Sequence, residues 1–262
     1  MPTSKFVYLL WARPGTRVAA DRAAARDLLL RRCAPRLLGL LPERLVVYVN
    51  DPESGIRSPS PFRPGGAPIC ATAELWLDAT CSPEPFEGVL REAGLTVAGY
   101  LVEESVYREY GGNRHAGPRA WPDGQRSPGL ALVSLLERPV RHEAGEWMRR
   151  WHGVMSPVSE GIQPRTRYVR NLVVRSVTDG APPFAGIVVE CWPSPRHVTN
   201  PFLFYGASGP VDLAVNMARI LRAVRSFLDI SRIRTSPVGE YFLKTGLDAE
   251  ATPRKPAPGA GG

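Results

Sequence analysis

The stretch Val7-Tyr8-Leu9-Leu10-Trp11-Ala12-Arg13-Pro14 returns in shortened form as Val133-Ser134-Leu135-Leu136-Glu137-Arg138-Pro139. Each is an apolar run closed by Arg-Pro, the pattern of a strand that runs into a turn. Three further landmarks recur in the same order. Tyr48-Val49-Asn50 returns as Tyr168-Val169-Arg170-Asn171, Glu74-Leu75-Trp76 as Glu190-Cys191-Trp192, and Glu109-Tyr110 as Glu240-Tyr241. Four landmarks at spacings of 116 to 131 residues read as an internal duplication.

Around these landmarks each copy reads strand, helix, strand, strand, helix, strand. In the first copy, 5–12, 44–50, 69–78 and 96–109 predict strands, and 18–33 and 84–93 predict helices. Pro35 is expected to kink or end the longer helix. In the second copy the elements fall near 130–137, 142–154, 165–176, 184–192, 211–228 and 231–243. In the last helix Val215, Ile220, Leu221, Val224, Phe227 and Leu228 face inward, with Arg219, Arg222 and Arg225 outward. The chain thus divides into a first module (1–110), a linker (111–128) in which Trp121 is the one large apolar residue, a second module (129–245), and a low-complexity tail (246–262) expected to be disordered.

A β-α-β-β-α-β unit is the ferredoxin-like arrangement, with both helices on one face of an antiparallel sheet. The other face is bare and must be covered. The fold class expected is therefore α+β: two such modules packed sheet to sheet in one chain, as a closed or semi-closed barrel with helices outside and a cavity between the sheets.

Composition narrows the partners. Hydrophobic residues make up 44% and charged residues 22% of 262, a globular balance. No apolar run approaches the roughly 20 residues of a membrane helix, and Phe6–Ala12 meets Arg13-Pro14 with no small-residue cleavage site, so a soluble cytoplasmic protein is expected. Of 33 basic residues only Lys5, Lys244 and Lys255 are lysines. The net charge of +8 arises wholly after Tyr110, spread over linker, helix and strand without a basic run. It reads as solvated faces rather than a nucleic-acid site. Cys33, Cys70, Cys81 and Cys191 form no C-x-x-C pair, and His142-Glu143 lacks the second His of H-E-x-x-H, so no disulfide framework and no metal site is expected.

Strand alternation supplies candidate site residues. Ala73, Leu75 and Leu77 share the face expected to carry helices, leaving Thr72, Glu74, Trp76 and Asp78 to line the barrel. In the second copy Ile187, Val189 and Cys191 are taken as the helix face, and Val188, Glu190 and Trp192 as the lining. An acid in a partly apolar cavity is costly unless paired, and serves as a proton acceptor or hydrogen-bond donor. The competing reading pairs such a Glu with Arg167 or Arg170 of the opposite sheet, purely to hold the halves together.

The second copy resembles a known family. Leu135-Leu136-Glu137-Arg138-Pro139, then Trp147 and Trp151-His152-Gly153-Val154-Met155-Ser156-Pro157, then Arg167-Tyr168-Val169-Arg170-Asn171, is similar to the EthD domain of the dimeric α/β-barrel superfamily. The first copy matches more weakly, through Leu9–Gly15 and Cys33-Ala34-Pro35. The resemblance implies a barrel fold and oxidoreductase or monooxygenase steps on small hydrophobic or aromatic compounds, several without metal or organic cofactor. Where EthD-like sequences carry His before x-Pro, this chain has Cys33 and Met155; His152 is one helical turn away and is a candidate substitute.

Two readings of the cavity follow. In the first it is an enzyme site needing no cofactor: Glu190, Glu74 or His152 removes a proton, and Asn171, Asn50 or an arginine such as Arg167 or Arg170 steadies the resulting oxyanion. Trp192, Trp76 and Tyr168 shape the substrate pocket. In the second the cavity only carries or senses a small hydrophobic ligand. A degenerate barrel packed solid is the third option. Monomer and homodimer both fit.

Overall fold

The computed structural model describes residues 3–60 and 68–245, so the expected tail at 246–262 lies outside the described residues. Eight strands form the frame: β1 (Thr3–Ala12), β2 (Arg44–Val49), β3 (Ala71–Asp78), β4 (Leu95–Arg108), β5 (Leu130–Leu136), β6 (Arg167–Ser176), β7 (Gly186–Trp192) and β8 (Arg234–Lys244). Helices α1 (Arg17–Ala20), α2 (Arg22–Asp27) and α3 (Ala34–Gly39) join β1 to β2, and α4 (Glu84–Glu92) joins β3 to β4. Helices α5 (Ala144–Arg150) and α6 (Ser156–Glu160) join β5 to β6. Between β7 and β8 run α7 (Arg196–Thr199), α8 (Pro201–Phe204) and the long α9 (Pro210–Phe227).

The strands close a barrel in the order β1-β3-β2-β8-β5-β7-β6-β4, antiparallel throughout. Each half contributes four neighbours, and the seams are β2 against β8 and β4 against β6. Closure leaves no strand edge open, which removes the usual liability of an exposed sheet. It also explains why β1, β2, β3 and β5 read as nearly unbroken apolar runs. One face packs into the barrel and the other under helices, so both are dry.

The barrel interior is a packed core. Val7, Leu9, Tyr48, Tyr100, Val133, Val169, Val189 and Phe242 meet there, with Trp121 against them at one end. The linker is thus an ordered plug: Trp121 sits edge-on to Tyr110 at 4.9 Å, and Ser127 N–H donates to Glu240 O at 2.8 Å. The expected cavity between the sheets is not found here, because these side chains fill the space. Under the helices of the first half, Phe6, Tyr8, Leu10, Ala73 and Leu75 pack on Leu29, Cys33, Leu37 and Leu90, as the alternation of β3 predicts.

The helical run does not end at Pro35. Residues Leu28–Cys33 form a π turn, Ala34 N–H bonds to Leu29 O, and α3 starts with Pro35 in its first turn. There the missing N–H costs nothing. The second half repeats the device: Trp151–Met155 is a π turn, Ser156 N–H bonds to Trp151 O, and Pro157 opens α6. Arg219, Arg222 and Arg225 point to solvent as expected, but Val215 is exposed rather than inward. Among the described residues no helix is long and apolar enough to cross a membrane.

Candidate functional site

Among the described residues, one cavity lies outside the barrel, between the outer face of β5–β8 and α9, with a volume of about 390 Å³. Its floor is the sheet. Ser134 of β5 pairs across to Thr235 of β8 on one side and Val188 of β7 on the other. One step along, Leu132, Glu190 and Tyr168 form the next row. The roof is apolar: Ile220, Leu221, Val224 and Phe227 come from α9. Trp151 and Met155 of the π turn close one wall, Phe204 and Tyr205 another, and Pro59 and Ser60 of the first half complete the rim. π turns recur at functional sites, and this one presents its side chains to the cavity. Gly186 lets it come close, since a Cβ there would stand 2.8 Å from the Trp151 ring.

Glu190 is the acid of the floor. Arg165, fully buried, donates to Glu190 Oε1 at 2.6 Å and also reaches Ser159 Oγ at 2.8 Å. The Arg165 guanidinium lies 3.9 Å above the Tyr168 ring, so one cation fixes both the carboxylate and the phenol. Tyr168 O–H contacts Ser156 Oγ at 3.2 Å. Burial pushes the Tyr168 and Tyr205 phenols up, so both stay protonated donors at neutral pH. The floor therefore offers one proton acceptor and two hydroxyl donors inside an apolar space. Among the described residues no group of three or more His, Cys, Asp or Glu is placed to hold a metal.

The residues singled out by sequence separate into three sets. Glu190 and Tyr168 line the cavity. Glu74, Asn171, Arg167 and Trp76 lie in the barrel interior, out of reach of a ligand. Asn171 Nδ2 donates to Glu74 Oε1 at 3.3 Å, Lys5 pairs with Glu74 at 2.9 Å, and Trp76 lies between Lys5 and Arg44. Arg167 holds Tyr48 O–H and Glu240 Oε1, each at 3.1 Å. Trp192, Arg170, Asn50 and His152 lie elsewhere. Trp192 is buried beneath Phe204, stacked at 4.7 Å. Arg170 bonds Ser156 Oγ and Ser105 Oγ. Asn50 lines a second cavity of about 820 Å³, beside Ala12, Asp21 and Cys70.

Two expectations are corrected here. In β7 the phase is reversed: Ile187, Val189 and Cys191 face the barrel, while Val188 and Glu190 face α9 and Trp192 packs under Phe204 of α8. Glu74-Leu75-Trp76 and Glu190-Cys191-Trp192 therefore lie on opposite faces and are not counterparts. Nor does Glu190 pair with Arg167 or Arg170; its partner is Arg165 of its own half. Sequence reasoning missed Ser134, Thr235, Gln163 and Tyr205. The alternation Leu130, Leu132, Ser134, Leu136 carries the first of these once the face is known.

His152 is not in the cavity wall. Burial and then the Arg170 charge lower its pKa to about 4 from an ordinary 6.5, so it is neutral at pH 7 and a weak proton acceptor. A His whose charged form is disfavoured in the fold leaves the unfolded chain to bind the extra proton, so stability falls as pH drops from 6.5 towards 4. His152→Gln should flatten that fall, read as a smaller difference in urea midpoint between pH 7 and pH 5. An unchanged difference removes His152 from the account.

No protein-family model matches the sequence, and no curated protein matches it either. Among solved structures, an anthrone oxidase-like protein is 12% identical over 95% of this chain and 99% of its own, with a TM-score of 0.53. A protein from Fusobacterium nucleatum subsp. nucleatum, named only provisionally as a monooxygenase, is 6% identical over 92% and 93%, with a TM-score of 0.45. The chain thus shares, along nearly its whole length, the α/β-barrel fold of the anthrone oxidase-like protein.

Proposed function

We propose that this chain is an EthD-like protein built from two copies of one ferredoxin-like βαββαβ unit, and that its second copy is a cofactor-independent oxidoreductase of monooxygenase type. The substrate is a small hydrophobic or aromatic compound with an acidic C–H. The observation that carries the reading is Glu190, fixed by Arg165 beside Tyr168 on the floor of an otherwise apolar cavity. In this reading Glu190 takes the C–H proton, and a hydroxyl of the cavity lining donates to the oxygen on which charge collects. The carbanion passes its electrons to dioxygen and forms a C–O bond as a hydroperoxide, reprotonated by Glu190. Loss of the second C–H proton breaks the O–O bond and yields a ketone and one water. One methylene and one dioxygen are consumed for each ketone and water formed.

Anthrone is the first substrate to try. The wild-type protein should consume anthrone and dioxygen in equal amounts, followed by absorbance and an oxygen electrode. Val224→Trp on α9 fills the cavity from a half-buried roof position and should cut turnover at least about 100-fold without lowering the melting temperature by more than a few degrees. Oxygen uptake at the buffer rate, for anthrone and for related methylene ketones, contradicts the enzyme reading. One observation favours the non-catalytic alternative, a carrier of small ligands: Met155, standing where the EthD resemblance calls for His, lines this same cavity.

A further inference from the structure

Three hydroxyls stand in a row on the β8 side of the cavity. Thr235 Oγ1 lies 2.8 Å from Ser134 Oγ and 3.2 Å from Ser60 Oγ. Ser134 and Thr235 are buried, and all three residues line the space. Ser60 comes from the other half of the chain, where its neighbour Ser58 donates to Thr235 O at 2.5 Å. The loop after β2 thus fastens onto β8, and the second half's cavity is completed by the first half.

A row of three hydroxyls has three hydrogens and only two internal bonds. If Thr235 donates to Ser60, Ser134 must donate to Thr235, and Ser60 keeps the spare hydrogen. If the row runs the other way, Ser134 keeps it. Among the described residues neither end has another acceptor. At the buried Ser134 end a donor left unpaired in an apolar cavity costs free energy, and a ligand acceptor oxygen relieves that cost.

Glu190 sits across the same floor. Ser134 is opposite Val188, and Glu190 is two residues further along β7. Neighbouring strands lie about 4.8 Å apart and residues rise about 3.4 Å along a strand, so Thr235 and Glu190, two strands across and two residues along, are separated by roughly 12 Å at the backbone. The two polar ends of the floor are therefore about the length of a compact aromatic molecule apart, with apolar side chains above.

We infer that the Ser60–Thr235–Ser134 row is an anchoring subsite for a carbonyl or similar acceptor oxygen, and that the ligand of this cavity is a compact aromatic compound carrying that oxygen at one end and its acidic proton at the other. The inference rests on the cavity being the ligand site, as proposed above. It makes Thr235 a specificity-determining residue and the first half a contributor to the second half's selectivity.

Two compounds of nearly the same shape test it: 6-hydroxy-1-tetralone, which has the ketone, and 5,6,7,8-tetrahydro-2-naphthol, which lacks it. Titration calorimetry on the full chain should show the wild type binding the ketone roughly tenfold tighter, the size of one buried hydrogen bond. Thr235→Val combined with Ser134→Ala should erase that preference while leaving tetrahydronaphthol affinity within about twofold. Thr235→Ser keeps a hydroxyl and should keep the preference, which separates loss of the anchor from loss of the fold. If wild type and variants bind the two compounds equally, the cavity reading stands and the anchoring row is overturned. If the wild type binds neither compound, the cavity reading fails and the inference falls with it.

Discussion

Glu190→Gln should lower kcat for anthrone oxidation by about 100- to 10,000-fold, the usual worth of a positioned proton acceptor, while the dissociation constant changes only a few-fold. Glutamine keeps the size of the side chain and keeps an oxygen for Arg165, whose donation at 2.6 Å orients the group. What it loses is the ability to take a proton. Arg165 retains Ser159 and Glu160 as partners, so the floor stays in place. The split between rate and binding matters, because a merely structural role for Glu190 lowers both together. Burst-free steady-state rates and calorimetric binding of 6-hydroxy-1-tetralone on the same preparation provide it. A variant that turns over as fast as the wild type removes Glu190 from the chemistry.

Arg167→Met should destabilise the protein by about 3–5 kcal/mol, the usual cost of leaving one member of a buried ion pair uncompensated. Arg167 and Glu240 are almost fully buried, 1% and 2% exposed, and lie on strands from the two ends of the second half. The guanidinium also bonds Tyr48 of the first half and Glu109, so it ties the halves together inside the barrel. Burial pushes the Tyr48 phenol and the Cys191 thiol up, so both stay neutral beside the Glu240 carboxylate. Without Arg167, among the described residues that carboxylate keeps Tyr110, at 2.7 Å, and Cys191. Adding Glu240→Gln to Arg167→Met should recover at least half of the loss, because the stranded charge is then gone. Urea unfolding measures both. A single variant within about 1 kcal/mol of wild type would show that the barrel interior tolerates the charge, contrary to this account.

Much of the frame was legible because strand and helix periods in this chain agree with its turns. Arg13-Pro14 and Arg138-Pro139 stop β1 and β5 close to the predicted places, and α9 runs 210–227 against a predicted 211–228. The barrel followed from the need to cover two bare sheets. The site was less legible, and for one physical reason. In a barrel wrapped by helices both faces of a strand are buried, so alternation separates two sets without saying which is inside. On β3 the polar set, Thr72, Glu74 and Trp76, is the interior one; on β7 the polar set, Glu190 and Trp192, is the exterior one. Reading both strands by one rule put Glu190 inside the barrel, whereas it lines the space under α9. His152 misled differently. Its spacing from Pro157 suggested a substitute for the missing imidazole, but the π turn rotates it beside the cavity wall and turns Trp151 and Met155 inward instead.

The central claim is that ligand is held between the second half's sheet and α9, not within the barrel. A crystal structure of the protein grown with 6-hydroxy-1-tetralone tests it most directly. The account predicts density over Val188, with one oxygen at the Ser134–Thr235 row and the other beside Glu190. Density inside the barrel near Asn171 and Glu74, or in the cleft by Asn50 with the α9 cavity empty, contradicts it.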